Sequence, residues 1–436
     1  MWFEQAVVYQ IYPLGFCGAP GQNGGEQSHS ITKIKDWVPH ILATGANCVL
    51  LNPVFQSDRH GYDTRDYFTV DCRLGTNQDL ADVCDALHAA GIRVVLDGVF
   101  NHVGRGFWAF QDVQKNRWES PYKDWFYLNF DGNTEYNDGF WYEGWEGHNE
   151  LVKLNLRNPA VTEHLMQAVR EWAAQYHIDG LRLDVAYCLD EDFVRRLRAF
   201  TGGLKPAFVL IGEMLHGDYK RMVNGAMLHS ATNYECYKGL YSSFNSMNLF
   251  EIAHSLNRQF GPEPWTLYKG KHLLSFADNH DVGRIATVLQ NPAHLPLVYG
   301  LLFAMPGIPA IYYGSEWGAQ GAKQPGSDDA LRPCFAQPQQ NELTQFIAAC
   351  AKAHTQSEAL CYGNYRNLQI TNRQLVFERC AQGERVIVAV NAEDKPFAAS
   401  FDARAGRGVD LLSGTEHDFA QNELPPYSIA YWKITD

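Results

Sequence analysis

Acidic side chains end four short apolar segments of this 436-residue sequence, and an arginine accompanies one of them. The groups are Asp97, Arg182 with Asp184, Glu213, and Asp281. For Arg182 and Asp184 taken alone, a structural ion pair near a strand end is the simpler interpretation, because a buried charge must be paired. Four such segments together favour one site in which carboxyl groups act as acid, base or nucleophile.

The number and type of these groups fit the hydrolysis of a glycosidic bond, which needs a pair of carboxyl groups with different roles. Asp184 would attack the anomeric carbon, and Arg182, on the same strand face, would lower its pKa and keep it ionised. Glu213 follows the apolar run FVLIG and has no cation beside it in the sequence. That setting favours a neutral acid that protonates the leaving oxygen. Asp281 would restrain the sugar ring as positive charge develops on it.

Two histidines lie near these acids in the sequence. His102 follows Asp97 by five residues, and His280 directly precedes Asp281. Either ring could donate a hydrogen bond to a sugar hydroxyl in its neutral or its charged form. The sequence contains no C-x-x-C pair and no acidic loop of the EF-hand type. We therefore expect no metal ion or other cofactor in the reaction.

Composition narrows the class of partner and the compartment. The formal net charge of −13 argues against nucleic acid and anionic membranes, whereas a neutral substrate would not be repelled. No apolar run approaches ~18 residues, so we predict no membrane span. The N-terminal run MWFEQAVVYQIYPLGF lacks a basic stretch followed by a long apolar one, so we predict no signal peptide. The ten scattered cysteines fit reduced thiols in the cytoplasm.

Short apolar runs alternate with helical patterns along most of the chain, and this alternation predicts how the acids are positioned. Repeated βα units give a parallel sheet covered by helices, and eight of them predict an α/β fold of the (β/α)8 TIM-barrel type. An open, doubly wound sheet is the alternative, but no G-x-G-x-x-G follows the first strand. The eight predicted strands lie within residues 6–13, 47–53, 92–100, 179–186, 207–213, 228–235, 272–281 and 309–316. In such a barrel the acids share the rim at the C-terminal ends of the strands.

Two segments depart from this alternation and predict additional domains. Residues 102–159 are too long for an ordinary loop after the third strand and predict a small inserted domain. Residues 357–436 contain short alternating runs such as ERVIVAVNA and predict a C-terminal antiparallel β-sandwich. The catalytic barrel is then formed by residues 1–101 and 160–356.

Five short motifs, in this order along the chain, resemble those of the alpha-amylase family of glycoside hydrolases. They are GYDTRDYFTVD (61–71), DGVFNH (97–102), GLRLD (180–184), IGE (211–213) and FADNHD (276–281). The resemblance implies that Asp184 is the nucleophile, Glu213 the acid/base and Asp281 the stabiliser of the transition state. It also implies that Tyr62 stacks on the sugar at the cleavage point and that the mechanism is retaining, with a covalent glycosyl-enzyme intermediate.

Within that family, the stretches LVKLN (151–155) and YKDWFYL (122–128) resemble the neopullulanase, cyclomaltodextrinase and maltogenic amylase group. This resemblance implies cleavage of α-1,4 bonds, with α-1,6 bonds as a second linkage, in maltooligosaccharides, cyclodextrins or related α-glucans. Tyr187 and Cys188 replace the residues typical of the group, at positions that commonly contact the leaving group. A 4-α-glucanotransferase of the same family is the alternative. A non-catalytic glucan-binding or transporter-associated homologue is a third interpretation, which the retained acids disfavour.

Aromatic side chains are concentrated in the predicted insertion, with fourteen in the 39 residues from Phe107 to Trp145. Most would form the core of a small domain, but sugar rings also stack on aromatic faces. Trp141, Tyr142 and Trp145, which lie among glycines just before LVKLN, are the candidates for stacking on an α-glucan. Asn101 occupies a position that often binds structural calcium in the family, although calcium is not favoured here.

Overall fold

A computed structural model of the chain describes residues 1–435. Eight parallel strands form the central sheet, in the spatial order β6-β5-β4-β3-β2-β1-β8-β7. They are β1 (Val8–Ile11), β2 (Cys48–Leu51), β3 (Arg93–Gly98), β4 (Gly180–Leu183), β5 (Val209–Gly212), β6 (Ser230–Ala231), β7 (Leu274–Phe276) and β8 (Ile308–Tyr312). A parallel bridge between Thr232 and Leu274 joins the two ends of this sheet. The sheet is therefore a closed barrel, which confirms the predicted fold and excludes the open, doubly wound alternative.

Both faces of the barrel strands are buried, as expected where helices cover a parallel sheet. Alternate residues such as Val8, Leu50 and Ile211 fill the interior, together with Phe276 and Ile308. The residues between them pack outward against the surrounding helices. Each apolar run in the sequence is therefore a strand with one face in the barrel interior and the other against the helices.

The helices between the strands begin at side chains that cap their free N–H groups. The Thr76 side chain accepts from the N–H of Asp79, Asn158 from Ala160, and Asp190 from Phe193. The helices of the barrel and its connections are Pro13–Phe16, Lys33–Ala43, Asn77–Ala89, Pro159–Gln175, Glu191–Leu204, Tyr234–Asn245, Phe250–Phe260, Ile285–Val288, Leu295–Ala304 and Glu342–Thr355. Helices of this set separate most consecutive barrel strands, as the alternation of apolar runs and helical patterns predicts.

The segment between β3 and the helix Pro159–Gln175 has its own secondary structure. It contains the helix Trp108–Asn116 and two small antiparallel sheets. One sheet has the strands His102–Gly104, Gly144–Trp145 and His148–Lys153, and the other has Leu128–Asn129 and Trp141–Tyr142. The ring of Phe110 packs edge-on against the rings of Phe126, Phe140 and Tyr142. Many of the aromatic residues thus form the core of this segment.

The C-terminal part of the chain forms a six-stranded antiparallel sheet with a two-stranded ribbon beside it. The sheet strands are Asn364–Ile370, Gln374–Ala381, Glu384–Asn391, Arg407–Asp410, Glu416–Asp418 and Ser428–Ile434, and the ribbon strands are Phe397–Ala398 and Glu423–Leu424. Val376, Ile387, Phe419, Leu424 and Trp432 form a core between these layers. The short helix Glu358–Tyr362 precedes the sheet. Across residues 1–435, no helix is both long and apolar enough to cross a bilayer.

Candidate active site

Arg182 stands at the centre of a group of three carboxylates at the C-terminal rim of the barrel. Its Nη1 donates to both oxygens of Asp97 and to Oδ1 of Asp184, each at 2.9 Å. Its Nη2 lies 2.9 Å from Oε1 of Glu213. All four side chains are buried. The Arg182 and Asp184 pair is therefore part of a larger site and not an isolated structural ion pair.

The register of the barrel explains this convergence. Asp97 on β3 lies directly beside Arg182 on β4, and Ile211 on β5 is the neighbour of Arg182 on the other side. Asp184 and Glu213 follow their strands by one residue each. Side chains of similar height on adjacent parallel strands thus meet around one guanidinium.

The backbone after the predicted nucleophile connects it to the predicted acid. Val185 has φ 39° and ψ 48°, a left-handed conformation that is unfavourable for a β-branched residue. This turn directs the N–H of Val185 to Oε2 of Glu213 at 2.9 Å. The residue that follows the predicted nucleophile Asp184 therefore fixes the predicted acid Glu213 through its backbone N–H.

The charges around Asp184 and Glu213 differ from the expectation based on sequence. Burial raises the pKa of Asp184 well above its ordinary value, with Arg182 acting in the opposite direction and the carboxyl groups of Glu213 and Asp97 adding to the rise. The expectation that Arg182 would give Asp184 a lowered pKa is therefore wrong for the net shift, because one cation is shared among three buried acids. Burial also raises the pKa of Glu213, although Arg182 opposes it. The expected absence of a cation beside Glu213 is likewise wrong, since Arg182 reaches it from the neighbouring strand.

Asp281 lies in a separate charge environment. Its Oδ2 is 3.1 Å from His280 Nε2, and its Oδ1 accepts from Arg332 Nη2 at 3.0 Å. Its backbone N–H donates to Asn279 Oδ1 at 2.9 Å. Burial alone would raise the pKa of Asp281, but His280, Arg332 and Arg182 outweigh it and hold the pKa below its ordinary value. Asp281 is therefore the most readily ionised of the three predicted catalytic acids.

The two histidines are neutral hydrogen-bonding groups. Burial lowers the pKa of both His102 and His280 to about 3. The Asn101 amide lies 3.1 Å from Nδ1 of His102, which assigns the ring proton to Nε2. Within residues 1–435 that Nε2 has no hydrogen-bond partner, and it lies 3.8 Å from Asp184 Oδ2. A ligand hydroxyl beside Asp184 would supply the missing acceptor.

Tyr62 connects the two charge environments. Its hydroxyl donates to Asp97 Oδ2 at 3.1 Å and contacts His280 Nε2 at 2.5 Å. Its ring stacks on His280 with centroids 5.7 Å apart, and the Arg182 guanidinium lies 5.8 Å from its centroid. This places an aromatic face among the predicted catalytic groups.

Several of these groups line one cleft of about 950 Å³, whereas Asp97, Arg182 and His280 are not among its lining residues. Its lining includes Tyr62, His102, Asp184, Glu213 and Asp281. Its wall and rim also include His60, Trp145, His148, Glu150, Tyr187, Leu215, Tyr234, Lys323, Asp328 and Arg332. The cleft is large enough for several sugar units and carries both polar groups and aromatic faces.

The structure does not bring Trp141 and Tyr142 to this cleft, so their predicted role in sugar stacking needs correction. Tyr142 is fully buried, and its hydroxyl bonds to Arg105 and to the carbonyl of Asn149. Trp141 is 41% exposed but lies outside the cleft lining. Strand alternation places these neighbours on opposite faces of a ribbon that packs elsewhere. Trp145, three residues further on, does line the cleft and contacts the ring of His102.

A family model described as the alpha amylase catalytic domain matches residues 10–361 of the chain. The chain belongs to the alpha-amylase family. This match covers part of β1, all of β2 to β8, the inserted segment and every predicted catalytic residue. The resemblance inferred from the five motifs is confirmed.

Named relatives align with most of this chain. A cyclomaltodextrinase of Thermoanaerobacter pseudethanolicus is 29% identical over 433 residues, covering 90% of this chain and 71% of the relative. Neopullulanase 2 of Thermoactinomyces vulgaris is 29% identical over 453 residues, covering 97% and 76%. The solved complex of a cyclic alpha-maltosyl-(1→6)-maltose hydrolase from Arthrobacter globiformis with that sugar has a TM-score of 0.85 and 27% identity, covering 99% of each chain. The first two relatives carry names of the subgroup that the sequence motifs resemble.

Asn101, the position considered for structural calcium, makes hydrogen bonds within the protein. The side-chain amide of Asn101 donates to Nδ1 of His102, and its backbone carbonyl accepts a hydrogen bond from the N–H of Leu154. Among residues 1–435, no group of three or more histidine, cysteine or acidic side chains could hold a metal ion. The donor set at Asn101 therefore does not fit a metal site built from side chains.

Several side chains of this site were not identified from the sequence. Arg332 comes about twenty residues after β8 and lies in no recognisable motif. Gln10 lies near the end of β1 and Asn52 directly follows β2, and their amides connect His280 to Asp97. A polar residue at the end of an apolar strand was the signal for Gln10 and Asn52, whereas Arg332 offered none.

Proposed function

We propose that the protein hydrolyses α-glucosidic bonds of maltooligosaccharides, cyclodextrins and related α-glucans with retention of configuration. The linkage is α-1,4, with α-1,6 as a second linkage. The observation that carries this proposal is the shared contact of Asp184 and Glu213 with one guanidinium, in a cleft that also contains Asp281. The names of the related enzymes support the choice of substrate.

In the first step, an oxygen of ionised Asp184 forms a bond to the anomeric carbon. The bond from that carbon to the glycosidic oxygen breaks, and Glu213 transfers its proton to the departing oxygen. The raised pKa of Glu213 supports its role as a proton donor at neutral pH. The products are a covalent glycosyl ester of Asp184, an ionised Glu213 and a released sugar with a free hydroxyl.

In the second step, Glu213 takes a proton from water, and the water oxygen bonds to the anomeric carbon as the ester bond breaks. Asp184 returns to its ionised form and Glu213 to its neutral form. A single guanidinium fork joins the two carboxyl groups. Such a short span suits the separation of about 5–5.5 Å typical of retaining enzymes, and not the wider gap that admits water between two acids.

The remaining groups stabilise the positive charge that develops on the sugar ring. Asp281 is held ionised, and it lines the same cleft as Asp184 and Glu213. The neutral His102 offers its Nε2–H to a sugar hydroxyl, and Tyr62 offers an aromatic face. These interactions strengthen as charge forms and so favour the transition state over the bound substrate.

The chemistry above uses only side chains of this chain, so we infer that no cofactor takes part. We also infer a cytoplasmic location. The ten cysteines of the sequence are all free thiols in the structure, which suits a reducing compartment.

The test combines two variants with product analysis. The wild-type protein should release maltose or glucose from maltotriose, panose, pullulan and β-cyclodextrin, as separated by chromatography. Asp184→Asn should lower kcat by several orders of magnitude with an unchanged circular dichroism spectrum. Glu213→Gln should spare substrates with good leaving groups, such as aryl maltosides, more than natural glucans. Near-normal turnover of Asp184→Asn on maltotriose would refute the proposal.

Adding excess glucose or maltose separates hydrolysis from glucanotransferase activity. A hydrolase gives mainly free sugars at every acceptor concentration. A transferase converts most of the donor into longer oligosaccharides, because the sugar replaces water in the second step.

A further inference from the structure

The Arg332 guanidinium bonds both to the carboxylate of Asp281 and to the carbonyl of the peptide unit that precedes it. Its Nη2 donates to Asp281 Oδ1 at 3.0 Å and to Asp328 Oδ2 at 3.1 Å. Its Nε donates to the carbonyl oxygen of His280 at 3.0 Å. One guanidinium thus fixes the carboxylate and the peptide unit that carries it.

The guanidinium is itself held in place. Its central carbon lies 4.5 Å from the ring centroid of Tyr12, and Nη1 lies 3.5 Å from the Tyr12 hydroxyl. The Arg332 backbone packs against Gly15, where a Cβ would lie 2.1 Å from the Arg332 carbonyl oxygen. The side chain is only 12% exposed. These contacts make Arg332 a fixed part of the cleft wall.

His280, Arg182 and Lys323 also lower the pKa of Asp281, but among the described residues Arg332 is the one that bonds a permanent positive charge to its carboxylate. Arg182 is already bonded to Asp97, Asp184 and Glu213. Lys323 is largely exposed and donates to the backbone oxygen of Asp281 at 3.2 Å. His280 is neutral at pH 7, because burial lowers its pKa to about 3. The carboxyl groups of Asp184 and Glu213 interact electrostatically with Asp281. The phenol groups of Tyr62 and Tyr234 do so as well.

We propose that Arg332 is the positioning residue of Asp281, orienting its carboxylate and keeping it ionised while Arg182 serves the nucleophile and the acid. This inference rests on the function proposed above, in which Asp281 stabilises the transition state. Arg182 thus bonds to Asp97, Asp184 and Glu213, whereas Arg332 bonds to Asp281 and Asp328. Arg332 acts only through Asp281 and does not take part in bond making or breaking.

The test compares Arg332→Gln with Arg332→Lys. Glutamine keeps a donor for the His280 carbonyl but removes the charge, whereas lysine keeps the charge and loses the planar fork. We expect Arg332→Gln to lower kcat on maltotriose roughly tenfold to hundredfold, because Asp281 becomes both less ionised and less fixed. Its acid limb of kcat against pH should move to higher pH and become steeper, as Asp281 and Asp184 then titrate in the same range. Arg332→Lys should keep the wild-type acid limb with an intermediate kcat.

Two further variants serve as matched controls. Asp328→Asn removes the second partner of Arg332 and should leave the acid limb in place. Arg373→Gln removes an exposed ion pair with Glu393 in the C-terminal sheet and should leave both kcat and the limb unchanged.

An acid limb of wild-type position and steepness in Arg332→Gln would overturn the proposal. If Arg332→Gln does not fold, Arg332→Lys provides the test. An acid limb at higher pH in Arg332→Lys, which keeps the positive charge, would also contradict the proposal. Activity of wild type and inactivity of Asp184→Asn test the proposed function separately. A failure of the Arg332 proposal is therefore distinguishable from a failure of the proposed function.

Discussion

The guanidinium of Arg182 bonds to Glu213 as closely as it does to Asp184, at 2.9 Å in each case. The cation beside the predicted nucleophile is therefore also the cation beside the predicted acid. With Asp97 as a third partner, the site contains more carboxyl groups than positive charges. This excess of acids favours retention of a proton among them, which acid catalysis by Glu213 in the proposed mechanism requires.

We expect Arg182→Gln to affect stability as well as catalysis. The substitution leaves three buried carboxyl groups without their shared cation, and breaking a buried ion pair from one side costs about 3–5 kcal/mol. The free energy of unfolding, measured with urea at pH 7, should fall by that amount, and kcat should fall roughly hundredfold or more. Arg182→Lys should be intermediate in both. An unfolding midpoint equal to that of wild type in Arg182→Gln would contradict the central role of this residue.

The pH dependence of kcat/KM should be bell-shaped and displaced upward at both limbs. Asp184 must be ionised for attack. Because its pKa is raised, activity should fall on the acid side at a pH above the ordinary aspartate value of about 3.9. Glu213 must be protonated, and its raised pKa means that activity is lost at a higher pH than for an ordinary glutamate. Rates on an aryl maltoside with a good leaving group check this assignment. The alkaline limb should disappear in Glu213→Gln, and its persistence would assign that limb to another group.

Trp145 and Trp141 form a matched pair for testing sugar stacking. Trp145 lines the cleft, whereas Trp141 lies on the surface of the inserted segment outside it. Trp145→Ala should raise KM for maltotriose about three- to tenfold, the value of one aromatic stacking contact. Trp141→Ala should leave KM unchanged. Equal effects of the two substitutions would indicate that the inserted segment acts only through its overall stability.

Chelation should leave the enzyme intact. The contacts of Asn101 are made within the protein, and the described residues contain no cluster of metal-binding side chains. Dialysis against EDTA should therefore change neither the Tm nor the rate on maltotriose, and added calcium should restore nothing. A fall in Tm on chelation, reversed by calcium, would show a structural ion.

Asp179 provides a stability test at the end of the barrel opposite the cleft. It precedes β4 and accepts from Lys205 Nζ at 2.6 Å, His88 Nε2 at 2.9 Å and Arg93 Nη1 at 2.9 Å. Burial would raise its pKa, but hydrogen bonds from His88, Lys205 and the Val94 N–H lower it overall. Because the pKa is lower in the folded state, the stabilisation is present above the unfolded value of about 3.9 and is lost as pH falls through the folded value.

Asp179→Asn should therefore lower the free energy of unfolding at pH 7 by about 1–3 kcal/mol, a range that allows for the partial exposure of its partners. The loss should shrink as pH falls below 4. Turnover per folded molecule should equal that of wild type, because the cleft is at the other rim. A pH-independent loss would contradict the ionic origin of this stabilisation.

The sequence by itself determined the barrel and indicated the three acids on which the proposed mechanism depends. Eight apolar runs separated by helical patterns leave little choice of fold, because parallel strands buried on both faces read as continuous hydrophobic segments. Asp184, Glu213 and Asp281 could be found because each ends such a run, and barrel strands end at one rim. The division of roles between the two arginines could not be found in this way.

Only the tertiary structure decided the charge environment. Arg182 bonds to carboxylates from two neighbouring strands, and Arg332 reaches Asp281 from a connection about fifty residues later in the chain. Electrostatic interactions depend on distance and burial in three dimensions, and sequence separation gives neither. The same limit explains the error at Trp141 and Tyr142, where strand register and domain packing decide which aromatic faces the cleft.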